Sequence, residues 1–185
     1  MDELSGYGNP KQKLGRLVKE GKYIPIVRGL YETNRNIPGY LLAGSIYGPS
    51  YLSFAFALSY YGLIPEAVYT YSSATFDKKK KKFYQNFFGN FTYRDVPQAV
   101  FPKEIMIKQE KEYFFHIASP EKALCDQLYT ISPVGTLKEM SKLLWEDLRM
   151  EKGDILNLNV DVVGHLATLY HSTNVTLLAK VMRKL

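Results

Sequence analysis

The chain has 185 residues, of which 46% are hydrophobic and 23% are charged, and its formal net charge is +6. This composition is typical of one globular domain, or of a small module with a larger one, and excludes general disorder. Cys125 is the only cysteine, which excludes an intrachain disulfide and a cysteine-based metal site. The first residues, Met1-Asp2-Glu3, are acidic where a secretory signal would be basic, so we expect a cytoplasmic protein.

The positive charge is concentrated in two parts of the chain. Residues 1–36 contain 7 Lys and Arg against 4 acidic residues, and residues 78–116 contain 9 against 4. Residues 37–77 contain no basic residue, and the remainder is balanced at 8 against 8. Two cationic surfaces therefore predict an acidic partner, either nucleic acid or protein.

The first elements are indicated by capping residues. Asn9 followed by Pro10 is typical of a helix start, and Leu14, Leu17 and Val18 have helical spacing up to a stop at Gly21. Residues 23–27 and 30–32 then predict a short hairpin that turns at Arg28-Gly29.

The segment from Ile37 to Pro65 has no charged residue and is long enough to span a bilayer. Glycines, prolines, serines and tyrosines dilute its hydropathy, so we expect no membrane span but a buried helix over Ser50–Tyr61, ended by Gly62.

The second half of the chain predicts strands followed by helices. Strands are expected at 69–75 and 87–93, and a hairpin at 104–108 and 113–118. Ser119-Pro120 predicts the start of a helix, and further helical segments are expected near 136–149 and 161–183.

The opening helix carries a polar face opposite its leucines. Gln12, Lys13, Arg16 and Lys19 lie on that face, and arginine and glutamine can each form paired hydrogen bonds to base edges. Lys22 and Arg28 frame the hairpin, where they could meet the sugar-phosphate backbone. The alternative is a solvated basic helix that is packed by its leucines.

A run of five lysines is the second candidate for phosphate contact. It consists of Lys78, Lys79, Lys80, Lys81 and Lys82, and it lies between two predicted strands, so it would form a hairpin loop. Such a loop could bind phosphates in a salt-dependent way, although lysine runs are usually only solvated.

Three blocks of the sequence resemble the AbiEi-type antitoxins of type IV toxin–antitoxin systems. The first is the opening helix followed by Glu20-Gly21-Lys22, a short strand and residues 28–31 (Arg-Gly-Leu-Tyr). The second comprises residues 48–53 (Gly-Pro-Ser-Tyr-Leu-Ser) with 57–58 and 62–64. The third comprises residues 116–126, from His116 to Asp126. The likeness covers residues 9–130, with the blocks in the family's order.

The resemblance implies an α+β protein with a truncated winged-helix segment at residues 1–36. An antitoxin-like mixed α/β domain with a helical C-terminus would follow at residues 37–185. It also implies that the protein binds DNA and represses its own operon. The protein would counteract a nucleotidyltransferase-like toxin, and direct contact with that toxin is not required. Family members carry further helices before the recognition helix, and only eight residues precede Asn9 here, so we expect an incomplete winged helix.

The sequence does not predict an enzyme or a cofactor. A nucleotidyltransferase would need an Asp-x-Asp pair after Gly44-Ser45, and the chain contains none. His116, His165 and His171 lack partners at zinc-ligand spacing, and Cys125 is expected to be buried and structural. The alternative function is a protein-interaction module of the same fold with an acidic partner. A small nuclease or transferase ranks last, because its carboxylates are missing.

Overall fold

The N-terminal elements are those that the capping residues predict. In the computed structural model, which describes residues 8–185, Asn9 Oδ1 accepts a hydrogen bond from Gln12 N at 3.1 Å. Helix α1 covers Pro10–Lys19, and strands β1 (Ile24–Val27) and β2 (Leu30–Glu32) form the hairpin. The chain turns between these strands at Gly29, whose φ of +85° is one that glycine adopts without strain.

The uncharged segment forms short elements. A 3₁₀ turn at Gly39–Leu42 is followed by α2 (Ala43–Ile46), β3 (Tyr51–Leu52) and α3 (Phe54–Tyr60). The prediction of one helix over Ser50–Tyr61 is therefore wrong at its start. Ser53 N donates to Ser72 O at 2.9 Å, so sheet pairing continues to Ser53 and prevents the helix from starting earlier. Phe54 then turns the chain with φ +57°.

Five longer strands complete the main sheet. They are β4 (Thr70–Thr75), β5 (Lys82–Asn86), β6 (Gly89–Asp95), β7 (Ile105–Glu110) and β8 (Tyr113–Ala118). The strand order is β5-β6-β4-β3-β8-β7; β4 pairs parallel with β6 and β3 pairs parallel with β8, and the other neighbours are antiparallel. The predicted β7–β8 hairpin is confirmed.

The prediction that the lysine run forms a hairpin loop is wrong. The strands on either side of it in the prediction, β4 and β6, are parallel, and parallel neighbours cannot be joined by a hairpin. The run instead leads from β4 into β5, and Lys82 is the first residue of β5. The sequence did not reveal β5, because five consecutive lysines hide where the strand begins.

Helices occupy the C-terminal part of the chain. They are α4 (Pro120–Tyr129), α5 (Leu137–Lys142) with a π-helical turn at Leu143–Asp147, α6 (Lys152–Leu156), α7 (Val160–Tyr170) and α8 (Thr173–Met182). The helix start at Ser119 is confirmed, since its Oγ accepts from Lys122 N at 3.2 Å. The predicted segment 161–183 is two helices, because His171 ends α7 with φ +49°.

One hydrophobic core joins these elements, from Ile24 and Ile26 in the hairpin to Leu178 in α8. The 3₁₀ turn and α2 pack against the sheet, where Tyr93 OH donates to Ala43 O at 2.7 Å. The division into units 1–36 and 37–185 stays a prediction, although the hairpin contributes buried side chains to the common core.

Gly39 allows the 3₁₀ turn to approach the sheet closely. A Cβ atom there would lie 2.2 Å from Phe88 O and 2.5 Å from Tyr71 Cε2, whereas a Cβ at Gly44 meets nothing within 4 Å. We expect Gly39→Ala to lower the free energy of unfolding by about 3 kcal/mol, because backbone must shift. Gly44→Ala should leave it unchanged or raise it by up to about 1 kcal/mol. Urea denaturation measures both, and equal stabilities would contradict this packing.

Candidate nucleic-acid interface

The predicted basic face of α1 is a solvent-facing surface. Gln12, Arg16 and Lys19 are exposed, and Lys13 is half-buried beside them. These four side chains line one open groove along the helix, so α1 brings together the residues that the sequence predicted. Lys22 and Arg28 are also exposed, Lys22 just beyond the helix and Arg28 at the hairpin turn.

Glu20 is an acidic member of this surface that sequence reasoning missed. Its Oε1 lies 3.5 Å from Arg16 Nε, and its Oε2 lies 2.9 Å from Lys22 Nζ. The hydrogen bond from Lys22 lowers the pKa of Glu20, with the nearby charges of Lys22, Arg16 and Lys13 acting in the same direction. The spacing of Arg16 and Glu20 was the available signal, because residues four apart meet on a helix. An anionic ligand would compete with Glu20 for Arg16 and Lys22.

The apolar face of α1 is more exposed to solvent than that of a helix in a hydrophobic core. Leu14, Leu17 and Val18 are each half-buried, and none belongs to the core cluster of the described residues. The hairpin that follows is better anchored, since Ile24 and Ile26 are buried and Asn86 Nδ2 donates to Ile26 O at 3.3 Å.

The carboxylate of Asp95 binds the backbone at the start of the lysine run. Asp95 Oδ2 accepts from Lys78 N at 2.8 Å and from Lys79 N at 2.7 Å, and Asp95 Oδ1 accepts from Thr75 Oγ1 at 2.6 Å. Lys78 Nζ donates to Gly48 O at 3.2 Å, so this lysine faces its own protein. Lys79, Lys80 and Lys81 are exposed and Lys82 is half-buried, and these are the lysines that could meet a ligand.

The two basic surfaces are not adjacent. The hairpin contacts β5 at Asn86, whereas the lysine run ends at Lys82, at the other end of that strand. Four strand steps separate these residues, which is about 13 Å. The structure therefore does not unite the lysine run with α1 in one site.

A buried charge cluster lies in the interior, and the sequence analysis did not identify it. Lys122 Nζ lies 3.1 Å from Asp126 Oδ1, and both side chains are 0% exposed. Asp126 Oδ2 accepts from Ser53 Oγ at 2.6 Å and from Tyr51 OH at 3.0 Å. Tyr170 OH accepts from Lys122 Nζ at 2.6 Å and donates to Asp126 Oδ1. The spacing of Lys122 and Asp126, four residues apart on α4, was the signal for it.

Burial governs the protonation of the cluster. It lowers the pKa of Lys122, an effect that the charge of Asp126 opposes, and it raises the pKa of Tyr51 and Tyr170 above their ordinary value. Cys125, next to Asp126, is buried as expected, and burial raises the pKa of its thiol. A thiol held neutral in this way is a poor nucleophile.

Residues 8–185 contain no group of three or more His, Cys, Asp or Glu side chains that could hold a metal ion. No helix in that range has the length and apolar character to cross a bilayer.

Comparisons of the chain with models of protein families and with curated proteins found no match.

The coupling within the buried pair can be measured by a double-mutant cycle. Lys122→Met and Asp126→Leu should each lower the free energy of unfolding by about 3–5 kcal/mol, because each leaves a buried charge unpaired. The double variant should lose less than the sum of the two, since no lone charge remains. The exposed pair Lys142–Glu146, at 3.9 Å, is the matched control and should couple by less than about 1 kcal/mol. Additive losses at Lys122 and Asp126 would contradict the assignment.

Stability should fall at alkaline pH. Burial raises the pKa of Tyr61 to about 12 and raises those of Tyr93 and Tyr170 further, so the folded state keeps protons that the unfolded state releases. This contribution is complete below about pH 10 and is lost as the pH rises through the raised values. The lowered pKa of Lys122 would make stability increase with pH, but it is a single group and several buried tyrosines have the opposite effect.

Urea denaturation at about pH 8 and about pH 11 should therefore show a lower midpoint at the higher pH. Tyr93→Phe should reduce this loss, because it removes one titrating group. Tyr69→Phe, at a side chain that is 83% exposed, should not change it. A midpoint independent of pH over this range would contradict the argument.

Proposed function

We propose that this chain is an antitoxin of the AbiEi type, without enzymatic activity, that counteracts a nucleotidyltransferase-like toxin and binds the DNA of its own operon. The observation that carries the proposal is the exposed face of Gln12, Arg16 and Lys19 on a helix that leads directly into a hairpin. Helix followed by wing is the order by which winged-helix proteins contact a duplex.

The dimensions of α1 suit a DNA groove. Gln12 and Lys19 are seven residues apart, which is about 10 Å along a helix, and the major groove is about 12 Å wide. Arg16 lies between them on the same face and could read guanine. Arg28 at the hairpin turn could contact a phosphate, which adds affinity without sequence preference.

The antitoxin role is supported by the resemblance and by a contact between two of the blocks that carry it. Tyr51 and Ser53 belong to the second block, and Asp126 belongs to the third. Both side chains of the second block donate to the Asp126 carboxylate, at 3.0 and 2.6 Å. Segments more than 70 residues apart in sequence are thus joined in one buried cluster. A cytoplasmic location follows from this proposal, since toxin and operon are both intracellular.

Removal of two cations from α1 tests the DNA contact. We expect Arg16→Ala/Lys19→Ala to weaken binding to a duplex from the protein's own upstream DNA by tenfold or more and to flatten its salt dependence. The control Lys138→Ala/Lys184→Ala removes the same charge from exposed lysines in α5 and in the turn after α8, and it should bind like the unmodified protein. Fluorescence anisotropy at low and moderate salt, with a scrambled duplex for comparison, gives both quantities.

Equal weakening by the two double variants would mean that only net charge attracts DNA, and the DNA-binding part of the proposal would fail. The antitoxin part is tested separately by co-expression with a neighbouring nucleotidyltransferase-like toxin. Rescue of growth by the unmodified protein, but not by the unstable Asp126→Leu variant, would support it, and absence of rescue by the unmodified protein would contradict it. Saturable binding to an acidic protein, without DNA binding, would favour the interaction-module alternative.

A further inference from the structure

We infer that a groove at the start of β5, lined by Lys79–Lys81 and Arg94 and flanked by Phe83 and Tyr129, binds single-stranded nucleic acid. The groove is separate from the α1 face, and this function goes beyond the proposed contact of α1 with duplex DNA. It does not depend on that contact.

Two adjoining cavities form this groove. One has a volume of about 330 Å³ and is lined by Lys79–Lys81, Arg94, Tyr129 and Thr130. The other has a volume of about 180 Å³ and is lined by Lys81, Phe83 and Arg94, among others. Because Lys81 and Arg94 line both cavities, the two lie side by side and together offer an extended surface rather than a pocket for one small molecule.

The charge of the groove is strongly positive. Within the described residues, Lys80, Lys81 and Arg94 form no ion pair with a carboxylate, and Lys79 has only the exposed Asp77 at 3.7 Å. Asp95 also lines the groove, but its two carboxylate oxygens already accept from Thr75 Oγ1 and from the backbone of the lysine run. Phosphates would therefore meet Lys80, Lys81 and Arg94 without displacing a paired carboxylate, and binding to such cations releases solvent ions.

Aromatic rings are exposed at both ends of the groove. Phe83 is 61% exposed, and Tyr129 is 40% exposed although its ring also packs against that of Tyr170, so both rings are accessible to a ligand. Phe83 lies opposite Thr92 in the β5–β6 pairing, so Phe83, Thr92 and Arg94 project from the same face of the sheet. Arg94 is oriented by Phe54, with its guanidinium carbon 5.4 Å from that ring centre.

A cationic path between exposed rings fits a single strand better than a duplex. Bases of a single strand are free to stack on aromatic side chains while the backbone follows the cations. In a duplex the base faces are stacked on one another, so Phe83 and Tyr129 would have nothing to contact. An acidic protein would engage the lysines, but it would not require flat rings at both ends.

The test uses the full chain with a fluorescein-labelled oligothymidylate or oligouridylate of about 12 nucleotides, a length within the range that single-strand sites occupy. We expect Lys79→Gln/Lys80→Gln/Lys81→Gln to weaken binding by at least tenfold. The control Lys138→Gln/Lys180→Gln/Lys184→Gln makes the same change in net charge at exposed lysines outside the groove, and it should bind normally. A preference for one of the two oligonucleotides would tell whether DNA or RNA is the ligand.

The rings provide a readout that charge alone would not affect. Phe83→Ala and Tyr129→Leu should each weaken single-strand binding by about tenfold. Leucine keeps apolar cover over Tyr170, whose ring centre is 5.6 Å from that of Tyr129. Tyr69→Ala, at a residue that is 83% exposed and does not line the groove, is the matched control. Thermal melting of each variant verifies that it is folded.

Three results would overturn the inference. One is equal weakening by the groove and control lysine variants, and another is unchanged affinity in both ring variants. The third is equal affinity for inorganic polyphosphate, which offers phosphates without bases. Arg16→Ala/Lys19→Ala should leave single-strand binding intact, so failure at the groove and failure of the proposed duplex contact are distinguishable.

Discussion

The Lys122 ammonium group and the Asp126 carboxylate lie in the interior of this protein, completely removed from water. They restrict which groups can surround them. Lys122 and Asp126 have 0% exposed side chains, and two buried charges are stable only when further groups satisfy their hydrogen bonds. The charged pair lies on α4, and the groups that bond it come from two other places in the fold: Tyr51 and Ser53 from β3 and the residue after it, and Tyr170 from α7. The sheet, α4 and α7 are therefore joined at a single buried cluster, within the hydrophobic core that they share.

The parallel pairing of β4 and β6 decides where the second basic surface lies. Because these strands run in the same direction, the chain between β4 and β5 must pass the end of β6, and Asp95 at that end binds the backbone of the lysine run. The cations thereby come next to Arg94 and to the end of α4 at Tyr129. An exposed loop becomes the side of a groove, while the hairpin contacts the opposite end of β5 at Asn86.

The α1 surface has a different character. Lys13, Arg16 and Lys19 are on a regular helix, and Glu20 moderates the local charge by pairing with Arg16 and with Lys22, just beyond the helix. A helix with rigidly spaced cations is suited to a regular duplex, whereas a groove with exposed rings is suited to unpaired bases. The two positively charged parts of the chain thus form two separate surfaces, and each surface suits a ligand of different shape.

The sequence by itself determined the local structure at α1, the first hairpin, the β7–β8 hairpin and the start of α4. Asn9, Gly29 and Ser119 act on neighbours within a few residues, so their effect can be inferred without the fold. It also determined the basic face of α1, since helical spacing alone brings those residues together. Only the tertiary structure decided the short strand at Tyr51–Leu52, the strand after the lysine run, the break at His171 and the cluster around Asp126. Each of these depends on a partner far away in the sequence, such as Ser72 for Ser53 or Tyr170 for Lys122, and no local pattern specifies which distant segments will meet.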